Sequence, residues 1–266
     1  MELILPTLLF YLMLGMFAGV MAGLLGVGGG LIIVPALVWI FRGQHVGEAI
    51  IMHLAIGTSL ATIVVTSISS VRAHHRRGAV LWSTFWRLTP GIVVGAWLGA
   101  AVADALSSFV LQKIFALFVL AMAGQMGFGA KPASHRDLPG TFGMLAAGSV
   151  IGTVSAIVGI GGGSLTVPFL TWCNISIHQA VATSAACGLP IALAGALGFI
   201  VTGLNAPGLP NWSLGYVYGP ALVGIALVSM LSAPLGAKLA HTLPTGTLKK
   251  VFAGFLALIG FKMLFG

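Results

Sequence analysis

Apolar residues in this chain run in long blocks separated by short polar joints, and the blocks come in the same order twice. Residues 3–25 are almost wholly apolar and end in a glycine cluster, and further apolar runs follow at 31–41, 49–71, 89–103 and 109–128. After a polar joint at 131–139 the order returns, with runs at 142–158, 164–172, 180–201, 215–240 and 248–265. A hydrocarbon core of about 30 Å takes about 20 helical residues, which most of these blocks approach. The run at 31–41 has eleven residues, a helix of about 16 Å at 1.5 Å per residue, or half the core. The pattern predicts an all-α polytopic membrane protein of two homologous halves. Each half carries a glycine-broken or re-entrant helix pair plus three further helices. Residues 1–129 form the first transmembrane repeat, 130–139 a cytoplasmic linker and 140–266 the second repeat.

The repeat is densest around the glycines. The first copy reads GLLGVGGGLIIVPAL over 23–37 and the second AIVGIGGGSLTVPFL over 156–170. A shift of 133 lays Gly26, Gly28, Gly29, Gly30, Val34, Pro35 and Leu37 on Gly159, Gly161, Gly162, Gly163, Val167, Pro168 and Leu170. A shift of 125 lays Thr58-Ser59 on Thr183-Ser184, so the first half has eight more residues between the two motifs. A shift of 137 lays Leu98-Gly99-Ala100 on Leu235-Gly236-Ala237, and Lys113 and Phe115 on Lys250 and Phe252. Two broken apolar segments in corresponding halves point to the substrate site of a membrane transporter.

Composition narrows the class. The chain is 58% apolar and 6% charged, against roughly 25% charged in a soluble domain. No polar stretch is long enough to be a soluble domain. Met1-Glu2 offers no basic leader region and the first run is too long for a leader's apolar core, so no cleavable signal is expected. The net charge of +8 sits in short loops, as cytoplasmic loops require, and no nucleic-acid partner follows from it. Cys173 and Cys187 lack metal-type spacing and read as small residues in apolar helices. No metal site and no cofactor are expected.

Loop charge also bears on orientation. Arg72, Arg76 and Arg77 place the loop after the third run in the cytoplasm, and Trp82, Trp86 and Arg87 read as interface anchors ahead of the fourth. The matching loop at 204–212 has no Lys or Arg and reads as extracytoplasmic. Opposite bias at matching loops favours inverted repeats, which need an odd number of crossings per half. A hairpin of the first two runs gives an odd count. A single broken crossing gives four, and parallel repeats. Glycines every four residues, at Gly91, Gly95 and Gly99 and at Gly15, Gly19 and Gly23, read as close helix packing.

The chemistry follows from the break. Glycines let backbone N–H groups converge on a ligand, and the helix that starts just beyond them has N–H groups without intrahelical partners and a partial positive charge. That combination binds oxyanions. The candidate substrate site is therefore Gly28, Gly29 and Gly30 with Gly161, Gly162, Gly163 and Ser164. Ser164, in the place of Leu31, caps the helix or donates to the ligand. Thr58, Ser59, Thr183 and Ser184 either bond back to the preceding turn or line the cavity as donors. Pro190 is a candidate helix break near the site. His53 is the titratable residue closest to a motif, and it serves proton coupling or sits at headgroup level. No Gly-Lys-Ser/Thr follows the glycines, so the motif is not a P-loop, and Leu31 and Ser164 stand where a dinucleotide fingerprint needs its last glycine.

With both copies in view, the chain resembles the TauE/SafE family of sulfite and organosulfonate exporters. GVGGGLIIVPAL, GIGGGSLTVPFL, AIGTSL, VATSA and the basic loop ending RRG carry the likeness, which covers almost the full length. The resemblance implies a cell inner-membrane permease for a small sulfur-containing anion such as sulfite, thiosulfate or an organosulfonate, with proton coupling and with the lipid bilayer as surroundings. The second half departs from the first after its TS pair, with Ala185-Ala186-Cys187 for Leu60-Ala61-Thr62. The alternatives are a permease for another small anion or metabolite and an intramembrane enzyme. Against an enzyme, Glu2, Glu48, Asp104 and Asp137 all lie at run ends or in loops, and no paired carboxylates or Ser–His pair falls within a run. Oligomeric state is not legible.

Overall fold

The computed structural model describes residues 4–25, 29–128, 137–239 and 245–266. Ten helices and one two-stranded turn make up these residues. The helices are α1 (Ile4–Leu25), α2 (Gly30–Gly43), α3 (Ile51–Arg76), α4 (Trp82–Ala105), α5 (Ser108–Phe128), α6 (Thr141–Val158), α7 (Gly163–Trp172), α8 (Ile177–Gly203), α9 (Gly219–Leu239) and α10 (Thr245–Phe265). Strands β1 (Ser213–Leu214) and β2 (Val217–Tyr218) pair antiparallel just before α9. Among the described residues, α3, α4, α5, α6 and α8 are each long and apolar enough to cross a membrane. The protein is a multi-pass, all-α membrane protein, in which helices satisfy their own backbone where no water can.

The short second run is a returning arm. Gly29 lies against Ala18, Phe10 meets Trp39 edge to face at 6.0 Å, and the Gln44 amide donates to the Tyr11 hydroxyl at 2.9 Å. These contacts run in opposite order along α1 and α2, so the pair is a hairpin and not one broken crossing. At 14 residues α2 extends about 21 Å, and α7, at 10 residues, about 15 Å. Both arms end alike. His45 and Asn174 take left-handed φ values of 58° and 62°, and the next N–H, of Val46 or Ile175, reaches back to Phe41 or Leu170. This is the six-to-one bond that closes a helix at a left-handed residue. The extra residues of the first half are divided between a longer arm and a longer connection to α3.

Helix directions follow from named contacts. Gly57, Leu60 and Ser67 of α3 meet Phe199, Gly195 and Gly188 of α8, so these two helices are antiparallel. Gln112 donates to the Met263 carbonyl at 2.8 Å and Leu120 lies against Gly260, so α5 and α10 are antiparallel as well. The most extensive helix pairings are α4 with α6 and α1 with α9, both parallel. Gly91, Gly95 and Gly99 of α4 sit on the backbone at Leu145, Ser149 and Thr153, and Gly15 and Gly19 of α1 on Ile225 and Ser229. A Cβ on Gly95 would stand 2.8 Å from the Ser149 Cα. The glycine stripes thus let backbones touch.

Some boundaries differ from the sequence pattern. Trp82, Trp86 and Arg87 lie within α4, and Pro90 and Pro190 sit inside continuous helices. Proline removes one ladder bond, but in an apolar medium the remaining ladder has no competing solvent. The run at 215–240 begins as the β1–β2 turn. Cys173 and Cys187 are buried free thiols. Burial raises the Cys173 thiol above its ordinary range.

Candidate substrate site

Sequence dictates the second glycine break closely. Helix α6 stops at Gly159, whose φ of 76° is left-handed, a conformation natural to glycine. The Gly159 and Ile160 N–H groups both return to the Ser155 carbonyl, the closing pattern of a helix end. Gly162, φ 67°, turns the chain again before α7 starts. Of the first four N–H groups of α7, Gly163 donates to Gly161 and both Leu165 and Thr166 donate to Gly162. The Ser164 N–H has no backbone acceptor among the described residues.

The two breaks meet. A Cβ on Gly30 would collide with the Gly159 carbonyl and stand 2.9 Å from the Ile160 Cα. Gly29 is less confined, since its nearest neighbour is the flexible end of Ile33 at 3.0 Å. Gly161 presses its carbonyl on Gly188 of α8 and faces Ile63 of α3. Gly28 lies outside the described residues.

The TS pairs hold this centre in place. The Ser59 hydroxyl donates to the Gly159 carbonyl at 2.9 Å. Thr58 Oγ1 accepts from the Tyr218 N–H at 2.9 Å, and Thr183 Oγ1 accepts from the Leu81 N–H at 3.0 Å. Leu81 precedes α4 and Tyr218 precedes α9, and the same shift of 137 relates them. Each threonine therefore anchors the start of the other half's fourth helix. Ser184, the counterpart of Ser59, is fully buried with no partner on its hydroxyl among the described residues. Ser164 and Thr166 of α7, 5% and 0% exposed, also carry hydroxyls without a partner. Buried hydroxyls are nearly always paired, and α7 and α8 carry four without a partner among the described residues: Ser164, Thr166, Ser184 and Thr202. The equivalents of Ser164 and Thr166 in the first half are Leu31 and Ile33, so these two hydroxyls have no counterpart there. Thr166 was legible as one of three hydroxyl residues, with Ser164 and Thr171, in an otherwise apolar arm.

The family model for the sulfite exporter TauE/SafE matches residues 11–263. The chain belongs to the TauE/SafE family. Probable membrane transporter proteins resemble it over nearly their full lengths. One from Haemophilus influenzae is 40% identical over 96% of this chain and 97% of its own length. One from Methanocaldococcus jannaschii is 29% identical over 98% and 96%, and one from Bacillus subtilis 27% over 95% of each. No solved structure matches the chain. The protein is thus a membrane transporter of the TauE/SafE type, and its glycine breaks lie where the halves of that transporter touch.

A second constellation surrounds His53, 3% exposed one turn before Gly57. Its Nδ1 is 3.3 Å from Ser108 Oγ and its Nε2 3.0 Å from the Ala103 carbonyl. Tyr216, from the β1–β2 turn, lies over the ring at 4.9 Å and donates its hydroxyl to Asp104 at 3.3 Å. Burial and the Asp104 carboxylate hold the Tyr216 phenol above its ordinary value, so it stays a donor. The repeat pattern carried a signal for this residue. The shift of 125 that aligns the TS pairs also aligns His53 with His178 and Ala55 with Ala180. Both halves read His-x-Ala-x-x-Thr-Ser.

Proposed function

We propose that this transporter is a secondary carrier for a small sulfur-containing anion such as sulfite or an organosulfonate, bound where the two glycine breaks meet and coupled to protons. Ser164 carries the reading. It is the second residue of α7, its N–H and hydroxyl are both uncommitted among the described residues, and it is 5% exposed. An oxyanion there receives two neutral donors and the positive end of a helix. Gly29, Gly30, Gly161, Gly162 and Gly163 keep side chains out of the way, while Thr58, Ser59 and Thr183 brace the centre. Binding by dipoles and hydroxyls suits a carrier, which must also let the anion go.

Inverted repeats fit the helix directions. A two-fold axis that exchanges two antiparallel neighbours, α3 with α8 and α5 with α10, lies across the helices and so in the membrane plane. The same operation exchanges the α1–α9 and α4–α6 pairs. Two such halves can rock around a fixed midplane site. Flux of labelled sulfite, sulfoacetate and phosphate into proteoliposomes tests the reading. Saturable flux of the sulfur anions, lost in Ser164→Ala, supports it, and no flux of any of them sinks it.

A further inference from the structure

We propose that the groove bounded by α1, α2 and α10 binds one anionic phospholipid, with an acyl chain along the groove and the phosphate at Arg42 and Lys262. The groove has about 310 Å³ of free volume, and its lining is apolar except for Arg42, Gln112 and Lys262. Arg42 and Lys262 lie in the last turns of α2 and α10. Gln112 of α5 touches both helices, accepting from Arg42 and donating to the Met263 carbonyl. The polar lining is therefore gathered at one end of the bundle.

The dimensions fit one leaflet. Along α2 the lining runs from Arg42 through Trp39 and Pro35 to Ile32. At 1.5 Å per residue that is about 15 Å, half of a hydrocarbon core of about 30 Å. Phe17 and Phe255 meet edge to face at 6.0 Å, which ties α1 to α10 away from the cationic end. Phe17, Trp39 and Phe255 are exposed, so the groove opens sideways to lipid. Packed interiors leave few voids, because empty space forfeits dispersion contacts, and an acyl chain supplies them. The leaflet is the one opposite the basic 72–78 loop. Helix α3 begins at this end, where the Met52 N–H reaches Ser108, and finishes at Arg76.

Charge selects the headgroup. Gln112 and Lys113 donate to the Met263 and Leu264 carbonyls, so the negative end of α10 is already covered. Arg42 gives Nε and Nη2 to Glu48 at 2.9 and 3.3 Å, and Nη2 to Gln112 at 3.2 Å. Its Nη1 and the Lys262 ammonium have no hydrogen bond among the described residues, and both side chains are exposed. Glu48 offsets one of the two cations, which leaves this end positive. A phosphodiester brings one negative charge and acceptor oxygens to those free donors. A zwitterionic headgroup brings a cation of its own and gains less. The repeat does not duplicate the feature. Shifts of 133 and 137 carry Arg42 to Ile175 and Lys262 to Gln125. A lipid seated here braces α2, whose Gly30 abuts the Gly159 backbone.

Native mass spectrometry of the full chain tests this, after delipidation in detergent and addition of equal amounts of dioleoylphosphatidylglycerol and dioleoylphosphatidylcholine. One phosphatidylglycerol should be retained in preference. Lys262→Gln should weaken its retention about five-fold, the effect of one surface cation. Ala36→Phe, which fills the groove and leaves the cations in place, should abolish the preference. A phosphatidylglycerol with a photoreactive acyl chain should crosslink the wild-type protein within 32–39 and 255–263, which needs no variant to fold. Equal retention of the two lipids, retention unchanged in either variant, or crosslinks only in other segments overturns the proposal. Displacement of the lipid by an equal concentration of a single-chain alkylsulfonate also overturns it, and makes the groove a substrate portal. None of these readouts measures flux, so their failure is separate from failure of the carrier reading.

Discussion

The Ser59 hydroxyl donates to the Gly159 carbonyl over 2.9 Å, so a helix of the first half supports the backbone break of the second. Both residues are buried. Ser59→Ala leaves that carbonyl unpaired, at a cost of about 1–3 kcal/mol. A lower unfolding midpoint in detergent or bilayer should follow, with reduced flux. An unchanged midpoint would show that the bond does not brace the break.

Neighbouring glycines should respond differently. Gly29 has ordinary φ and only the tip of Ile33 near its missing Cβ, so Gly29→Ala should keep transport. Gly30 abuts the backbone of Gly159 and Ile160, which has nowhere to go, and Gly30→Ala should abolish flux. Membrane insertion, followed by fractionation, should survive in both. Equal flux in the two variants would argue against contact between the breaks.

At Gly162 the obstacle is conformational as well as steric. Its φ of 67° disfavours any L side chain, by about 1–2 kcal/mol, and a Cβ would stand 2.5 Å from Ile191 Cδ1. Gly162→Ala should lower stability, and Gly162→Asn, which tolerates the left-handed region better, should lower it less. The order of unfolding midpoints tests this.

Ser164→Ala separates binding from folding. The hydroxyl is buried and unpartnered, so its removal should leave stability unchanged or raised. A hydrogen bond to a charged ligand contributes about 1.5–3 kcal/mol, which corresponds to a loss of affinity of about ten- to a hundred-fold. Flux titrations should show it as a raised half-saturation concentration. Lost stability with unaltered affinity would make Ser164 a structural residue.

Single cysteines in 72–78 and in 204–212, on a background lacking Cys173 and Cys187, test the inversion. An impermeant reagent should label the two loops from opposite faces of the membrane. Labelling from the same face would refute inverted repeats.

Much of this architecture was readable in residue order. The ten runs became ten helices because long apolar blocks have one stable form in lipid. The glycine stripes of α1 and α4 announced close packing, since nothing else profits from side-chain-free faces every four residues. The TS pairs were visible as a repeat, but their partners were not. Thr58 reaches Tyr218 and Thr183 reaches Leu81, more than a hundred residues away along the chain. Pro190 read as a candidate helix break because the rule for proline comes from helices that compete with water, yet it sits inside continuous α8.

The sequence by itself determined the membrane class, the ten helical runs, the duplicated glycine break and the family. Each of these depends on local composition or on self-similarity, which need no knowledge of what touches what. Only the tertiary structure decided that α1 and α2 form a hairpin, that the two breaks press on each other, and that Ser59 is engaged while Ser164 and Ser184 are not. It also decided that His53 is buried between the Ser108 hydroxyl and the Ala103 carbonyl. Those are properties of distant segments brought together. A hydroxyl or an imidazole has the same formula wherever it stands, and its chemistry is set by the atoms that burial leaves beside it.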